Sequence, residues 1–231
     1  MMKRVIVELI EKMGGRFSSE LGIDLEGGSG EIFKWFLASL LFGARIGQDI
    51  AVRTYREFEK RGVLSPNRIT ETGWDGLVEI LDEGGYARYD FKTATKLLEI
   101  MEYLNSRYGG DLDRLHAQAR DSKDLETRLL GFKGVGPVTV NIFLRELRGI
   151  WGKADSLPSD LALLVARNLG IVGQERGESA LAVLKKVWEE GKVTRAKFSD
   201  LEAALVRLGK DFCRRSGCDY CIMRECCTKK G

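Results

Sequence analysis

Five cysteines crowd into the last nineteen residues: Cys213, Cys218, Cys221, Cys226 and Cys227. A disulfide framework would be spread through a chain of this size, so thiols bunched at one end point to a metal. The spacing Cys213-x4-Cys218-x2-Cys221-x5-Cys227 offers four soft ligands in one short segment. An iron–sulfur cluster or a structural zinc ion requires such a set, with Cys226 competing with Cys227 for the fourth place. A second pattern rests on glycine. In Leu129-Leu130-Gly131-Phe132-Lys133-Gly134-Val135-Gly136-Pro137-Val138-Thr139, Gly134 and Gly136 permit a tight reversal with positive φ, and Pro137 suits the first turn of the next helix. Backbone amides exposed along Gly134, Val135 and Gly136, at the positive end of a helix dipole, make a seat for a phosphate oxygen. Such a seat reads backbone and not base sequence, and an ordinary connection between two helices would use the same glycines. The third feature is Asp160, placed after Pro158-Ser159 and before an apolar run. It reads either as a helix N-cap or as a carboxylate held ionised by the helix dipole.

The elements that must position these groups are helical. Apolar residues recur at helical spacing in Phe33, Phe36, Leu37 and Leu40, in Leu97, Ile100, Met101 and Leu104, and in Val140, Phe143, Leu144 and Leu147. Leu161, Leu164 and Val165 form a fourth such face. Sustained alternation is missing; Val5 to Leu9 could pass for a strand but continues in helical fashion and has no pairing partner. Glycine pairs at 14–15, 27–28, 84–85 and 109–110 break the runs. A chain of 231 residues, 44% hydrophobic, buries a substantial core, and neither a membrane span nor a signal peptide is legible, which gives a cytoplasmic expectation. Net charge is only +3, yet residues 205–231 carry seven Lys or Arg against three acids. A basic segment on a near-neutral body predicts one face that meets phosphate.

In this order the motifs resemble the endonuclease III superfamily of helix-hairpin-helix DNA glycosylases. The hairpin segment carries the likeness. Upstream, Gly85-Tyr86-Ala87-Arg88-Tyr89, Lys92-Thr93-Ala94 and Tyr108-Gly109-Gly110-Asp111-Leu112 look like the family's preceding segment, and Leu40-Leu41 before Gln48-Asp49 is similar to its early helix and lesion-side loop. The resemblance spans roughly residues 30–227. It implies that Asp160 is the catalytic aspartate, Asp155 being a second candidate, and that Lys133, Gly134, Val135, Gly136 and Thr139 contact DNA backbone. Bifunctional members carry a Schiff-base lysine where this chain has Val138. Valine is no nucleophile, so the implied chemistry is base removal by water without strand cleavage. The adenine-mismatch branch carries a glutamate where this chain has Ala38, which disfavours adenine removal by that route. Arg45, beside Ala44, stands in the place of the residue that fills the gap left by a flipped base. Tyr86, Arg88 and Tyr89 face the base pocket or are packing and surface residues. For the cysteines the resemblance implies a [4Fe-4S] cluster on Cys213, Cys218, Cys221 and Cys227, with zinc as the alternative, in a loop presenting Arg214 and Arg215 to phosphate. The first cysteine gap is two residues shorter than the family's.

The resulting expectation is an all-α, monomeric protein in two parts. A helical body over 31–148 ends in the hairpin, and 1–30 with 149–231 form an N-terminal helix and a C-terminal cluster part, double-stranded DNA with a damaged or mispaired base lying in the groove between them. Two rival readings are a non-catalytic lesion-binding module and a bifunctional glycosylase/lyase using Lys133. A redox iron–sulfur protein would leave the hairpin unexplained.

Overall fold

The structure, a computed structural model, describes residues 2–228. Lys229 and Lys230, counted in the basic segment, lie outside the described residues. In chain order the helices are α1 (Met2–Met13), α2 (Phe17–Glu20), α3 (Ser29–Phe42), α4 (Gln48–Lys60), α5 (Pro66–Glu83) and α6 (Asp90–Tyr108). They continue as α7 (Leu112–Gln118), α8 (Ser122–Leu130), α9 (Pro137–Leu147), α10 (Asp160–Asn168), α11 (Gly177–Gly191) and α12 (Phe198–Asp211), followed by three short 3-10 turns through the cysteines. Among the described residues there is no strand, only an isolated bridge between Arg148 and Trp151. The fold is all-α, and Val5 to Leu9 belong to α1.

Local chemistry sets the boundaries. Ser65 caps α5 by accepting from the Arg68 amide, with Pro66 at the first helical position, where its missing N–H is not needed. Asp121 does the same for α8 through the Asp124 amide, 2.8 Å away. At the other end of α6, Gly109 turns left-handed at φ 63, a conformation that a Cβ would oppose.

The chain divides into two compact units: Leu21–Asp155, and Met1–Glu20 together with Ser156–Gly231. The central unit begins at Leu21 and not at residue 31, and ends at Asp155 and not at residue 148. Leu21, Ile23 and Leu25 are buried, which gives residues 21–30 an apolar anchor of their own.

In the central unit α3 is the core helix, buried nearly all round from Ile32 to Leu41. Phe36 meets Phe132 and Phe143 with ring centres 5.6 and 5.2 Å apart, and Tyr103 meets Phe132 at 5.0 Å. The Trp35 indole donates to the Phe143 carbonyl at 3.1 Å, fastening α3 to α9. The faces Leu97/Ile100/Met101/Leu104 and Val140/Phe143/Leu144/Leu147 are buried as their spacing predicts.

In the other unit α1, α10, α11 and α12 enclose a second core of Ile6, Leu9, Val165, Leu184, Leu205 and neighbours. Here the predicted face of α10 needs correction. Ala162, Leu163, Val165 and Ala166 are the buried positions, whereas Leu164 is exposed. Leu161 and Val165 of α10 lie over Gly209 of α12, which has no side chain to hold them off.

Candidate functional site

The hairpin is built in the central unit from α8 and α9. Gly131 closes α8, and Phe132 then turns inward into the aromatic cluster, nearly free of solvent, which pins the loop from below. The Val135 amide donates to the Phe132 carbonyl at 3.0 Å, and Gly134 within that turn has φ 75. Gly136 does not take positive φ: it is the N-cap of α9, extended at φ −107 and ψ 173, so of the two glycines only Gly134 needs the left-handed region. Pro137 starts α9 as expected. The amides of Gly134, Gly136, Val138 and Thr139 have no acceptor among the described residues. That of Val135 is spent within the turn.

The side chains around this seat divide unequally. Val138 is 64% exposed, an apolar group held outward at the start of a helix. Val135 is buried beneath the turn and contributes geometry only. Thr139 is buried too, its hydroxyl lying over Gly43, where a Cβ would collide with it, so only its amide faces the loop surface. Lys133 is exposed, and its ammonium is 2.5 Å from Glu99 Oε1 on α6.

Sequence reasoning missed Lys96. This half-buried residue of α6 lays its stem against the hairpin: a Cβ on Gly134 would meet its Cδ at 3.2 Å and its Cε at 3.4 Å. Burial, and then the charge of Lys92, pull the Lys96 ammonium below the ordinary lysine value. Its position one turn after Lys92 was visible in the sequence; its contact with a glycine on another helix was not.

Gly43, under Thr139, opens the loop 43–47 that carries Arg45. The Ile46 amide donates to the Ala44 carbonyl at 2.9 Å, a tight turn with Arg45 at its apex, exposed and without a partner among the described residues. Of the three residues offered for a base pocket, Tyr86 is core. Its ring is 1% exposed and its hydroxyl donates to the Leu41 carbonyl at 2.9 Å, which makes it a strut between the α5–α6 turn and α3. Burial pushes its phenol well above the ordinary tyrosine value. Arg88 and Tyr89 are exposed.

Asp160 lies in the other unit. Ser159 performs the capping of α10, its Oγ accepting from the Ala162 amide at 3.3 Å, and Asp160 follows as the first helical residue. The capping explanation for Asp160 therefore fails. Its carboxylate is exposed, sits on the first turn and has no hydrogen-bond or ion-pair partner among the described residues. Asp155, the second candidate, belongs to the central unit and is engaged by the Arg148 guanidinium.

The cysteines lie on and between the three 3-10 turns Cys213–Arg215, Cys218–Tyr220 and Arg224–Cys226, none of them in a disulfide. Burial pushes the Cys213 thiol up; the Asn168 side chain opposes this, and the neighbouring thiols of Cys221, Cys227 and Cys218 add to it. Cys226 is turned elsewhere: its thiol donates to Glu8 Oε2 on α1 at 2.8 Å. Lys12 adds a bond to the Ile222 carbonyl at 2.8 Å, and Met223 is buried as a plug under the loop. Arg214 and Arg215 are exposed and unpaired among the described residues. Among the described residues no three His, Cys, Asp or Glu side chains converge as ligands of one ion. Cys213, Cys218, Cys221 and Cys227 are nonetheless four thiols in one short segment, a donor set of the chemistry that suits a thiolate-bound group, while Cys226 is engaged by Glu8.

No known protein-family model matches the chain, and no curated protein matches it either. No helix among the described residues is long and apolar enough to cross a membrane.

Proposed function

We propose that this protein is a monofunctional DNA glycosylase of the endonuclease III type, hydrolysing the bond between a damaged or mispaired base and its sugar in double-stranded DNA. The observation that carries the proposal is the division of labour at the start of α10. Ser159 takes the cap, which leaves Asp160 as an exposed, partnerless carboxylate on the first turn. A carboxylate released from structural duty is available to a substrate. Loss of a base builds positive, oxocarbenium-like charge on the sugar, and a fixed negative group stabilises that charge more in the transition state than in the ground state. The C1′–N bond breaks toward the base. Water then adds its oxygen to C1′, giving up a proton that Asp160 can accept and that is finally taken by the departing base.

The hairpin supports the same reading by offering backbone phosphate four unspent amides, with Arg45 on the adjoining loop within the same unit. Position 138 holds valine, which is no amine for a Schiff base, and the exposed Lys133 faces Glu99 in an ion pair. Cys213, Cys218, Cys221 and Cys227 would hold a [4Fe-4S] cluster whose contribution is structural, clipping the loop that presents Arg214 and Arg215. A panel of duplexes, each with one lesion or mismatch, tests the proposal. Strand breaks that emerge only after alkali support base removal without lyase chemistry. Breaks without alkali, or a covalent complex trapped by borohydride, would overturn the monofunctional claim, and release of no base from any duplex would overturn the whole.

A further inference from the structure

We propose that Lys96 is the side-chain half of a backbone-phosphate site whose other half is the amide seat of the hairpin. The inference rests on the DNA-binding reading above and names a residue which that reading does not use.

An ammonium at half-burial is normally compensated by a carboxylate, because removing it from water without a partner is unfavourable. Lys96 has none. It forms no ion pair or hydrogen bond among the described residues, and its one charged neighbour of consequence is another cation, Lys92. Glu99, one turn further along α6, is taken by Lys133. The fold therefore keeps a positive charge where it does nothing for the folded state. It also fixes the place of the stem that carries that charge: Cγ, Cδ and Cε of Lys96 all lie 3.2–3.5 Å from where a Gly134 side chain would begin. Glycine at 134 serves two ends, the positive φ and the close approach of this stem.

The stem lies against Gly134, in the loop whose amides at Gly134, Gly136, Val138 and Thr139 are donors without acceptors among the described residues. A cation on α6 and the unpaired N–H groups of the hairpin against which its stem lies ask for the same partner, an oxyanion, and lysine meets phosphate as a compact point charge. Val138 and the N-terminal turn of α9 offer the anion no competing carboxylate side chain. The anion is the phosphodiester of a duplex, since a seat made of backbone and one point charge has no means of reading a base.

The test is the salt dependence of duplex binding by the full chain. Each phosphate contact that displaces a counterion contributes about 0.9 to the log–log slope. Lys96→Met keeps the apolar stem on Gly134 and removes the charge. It is expected to lower the slope by about 0.9 and to weaken binding about tenfold, equally for damaged and undamaged duplexes, with melting temperature unchanged or raised. Lys96→Arg restores the slope. A wild-type slope in Lys96→Met overturns the inference while leaving the glycosylase reading intact. A wild-type protein with no salt-dependent duplex affinity overturns both. A fall in melting temperature with binding unchanged assigns Lys96 a packing role instead.

Discussion

The two glycines of the hairpin make different demands, and alanine at each position separates the needs of the fold from those of a ligand. Gly134 has φ 75, and an added Cβ would meet Lys96 Cδ at 3.2 Å. The left-handed conformation costs an L-residue about 1–2 kcal/mol. The lysine stem can shift to relieve the contact, and the stiffer unfolded chain returns about 0.4–1 kcal/mol, so Gly134→Ala is expected to lose about 1 kcal/mol net. For a protein of this size that lowers the melting temperature by about 2–4 °C. Gly136 is extended, and a Cβ there meets nothing within 4 Å. The unfolded-state gain and the slightly poorer N-cap nearly cancel, so Gly136→Ala is expected to melt within about 1 °C of wild type. Its methyl group nevertheless enters open space beside the free amides, where a phosphate would approach. Duplex affinity is therefore expected to fall in Gly136→Ala without loss of stability. Differential scanning calorimetry and fluorescence anisotropy read the two quantities. A stable Gly134→Ala with a destabilised Gly136→Ala would refute the backbone assignment. Full duplex affinity in Gly136→Ala would refute the use of this surface for phosphate.

Other consequences follow from the same structure. Ser159→Ala removes the α10 cap, whose bond is long at 3.3 Å, and is expected to lower stability by about 0.5–1 kcal/mol in chemical denaturation without changing base-release specificity. Cys226→Ser, which can keep a bond to Glu8, is expected to leave the visible absorbance of the purified protein intact, whereas Cys227→Ser is expected to abolish it; the opposite pattern would exchange the two ligands. Asp124, at the start of the helix that leads into the hairpin, is lowered to about 2 by the Arg120 amide first and by Arg128 second. A depressed carboxylate adds stability above its unfolded value of 3.8 and loses it as pH falls toward about 2, so carboxyl titration by NMR should find Asp124 among the last acids to protonate, and Asp124→Asn should flatten acid unfolding in that window.

Periodicity made much of the fold legible. Leu97, Ile100, Met101 and Leu104 share a face because 3.6 residues make a turn, and they are buried together. The same rule misplaced Leu164, because the buried face of α10 includes Ala162 and Ala166, whose small side chains carry little hydrophobic signal. Chain order exposed the hairpin, since glycine and proline act locally. It could not separate Gly134 from Gly136, as both tolerate many conformations and only the built turn selects one. Tyr86 and Lys96 were opaque for a different reason. Each owes its role to a partner distant in sequence, the Leu41 carbonyl for one and the hairpin glycine for the other. Likewise, two adjacent cysteines could not be told apart until Glu8, on the first helix, was seen to hold Cys226.

The central claim is that Asp160 carries the chemistry, and single-turnover base release by Asp160→Asn tests it most directly. Asparagine keeps the size of the side chain and removes its charge, at a surface position with no internal partner. The account predicts a rate lower by about 100-fold or more, with duplex affinity and melting temperature close to wild type. Release at a rate within about threefold of wild type, a difference worth less than 1 kcal/mol of barrier, would contradict it.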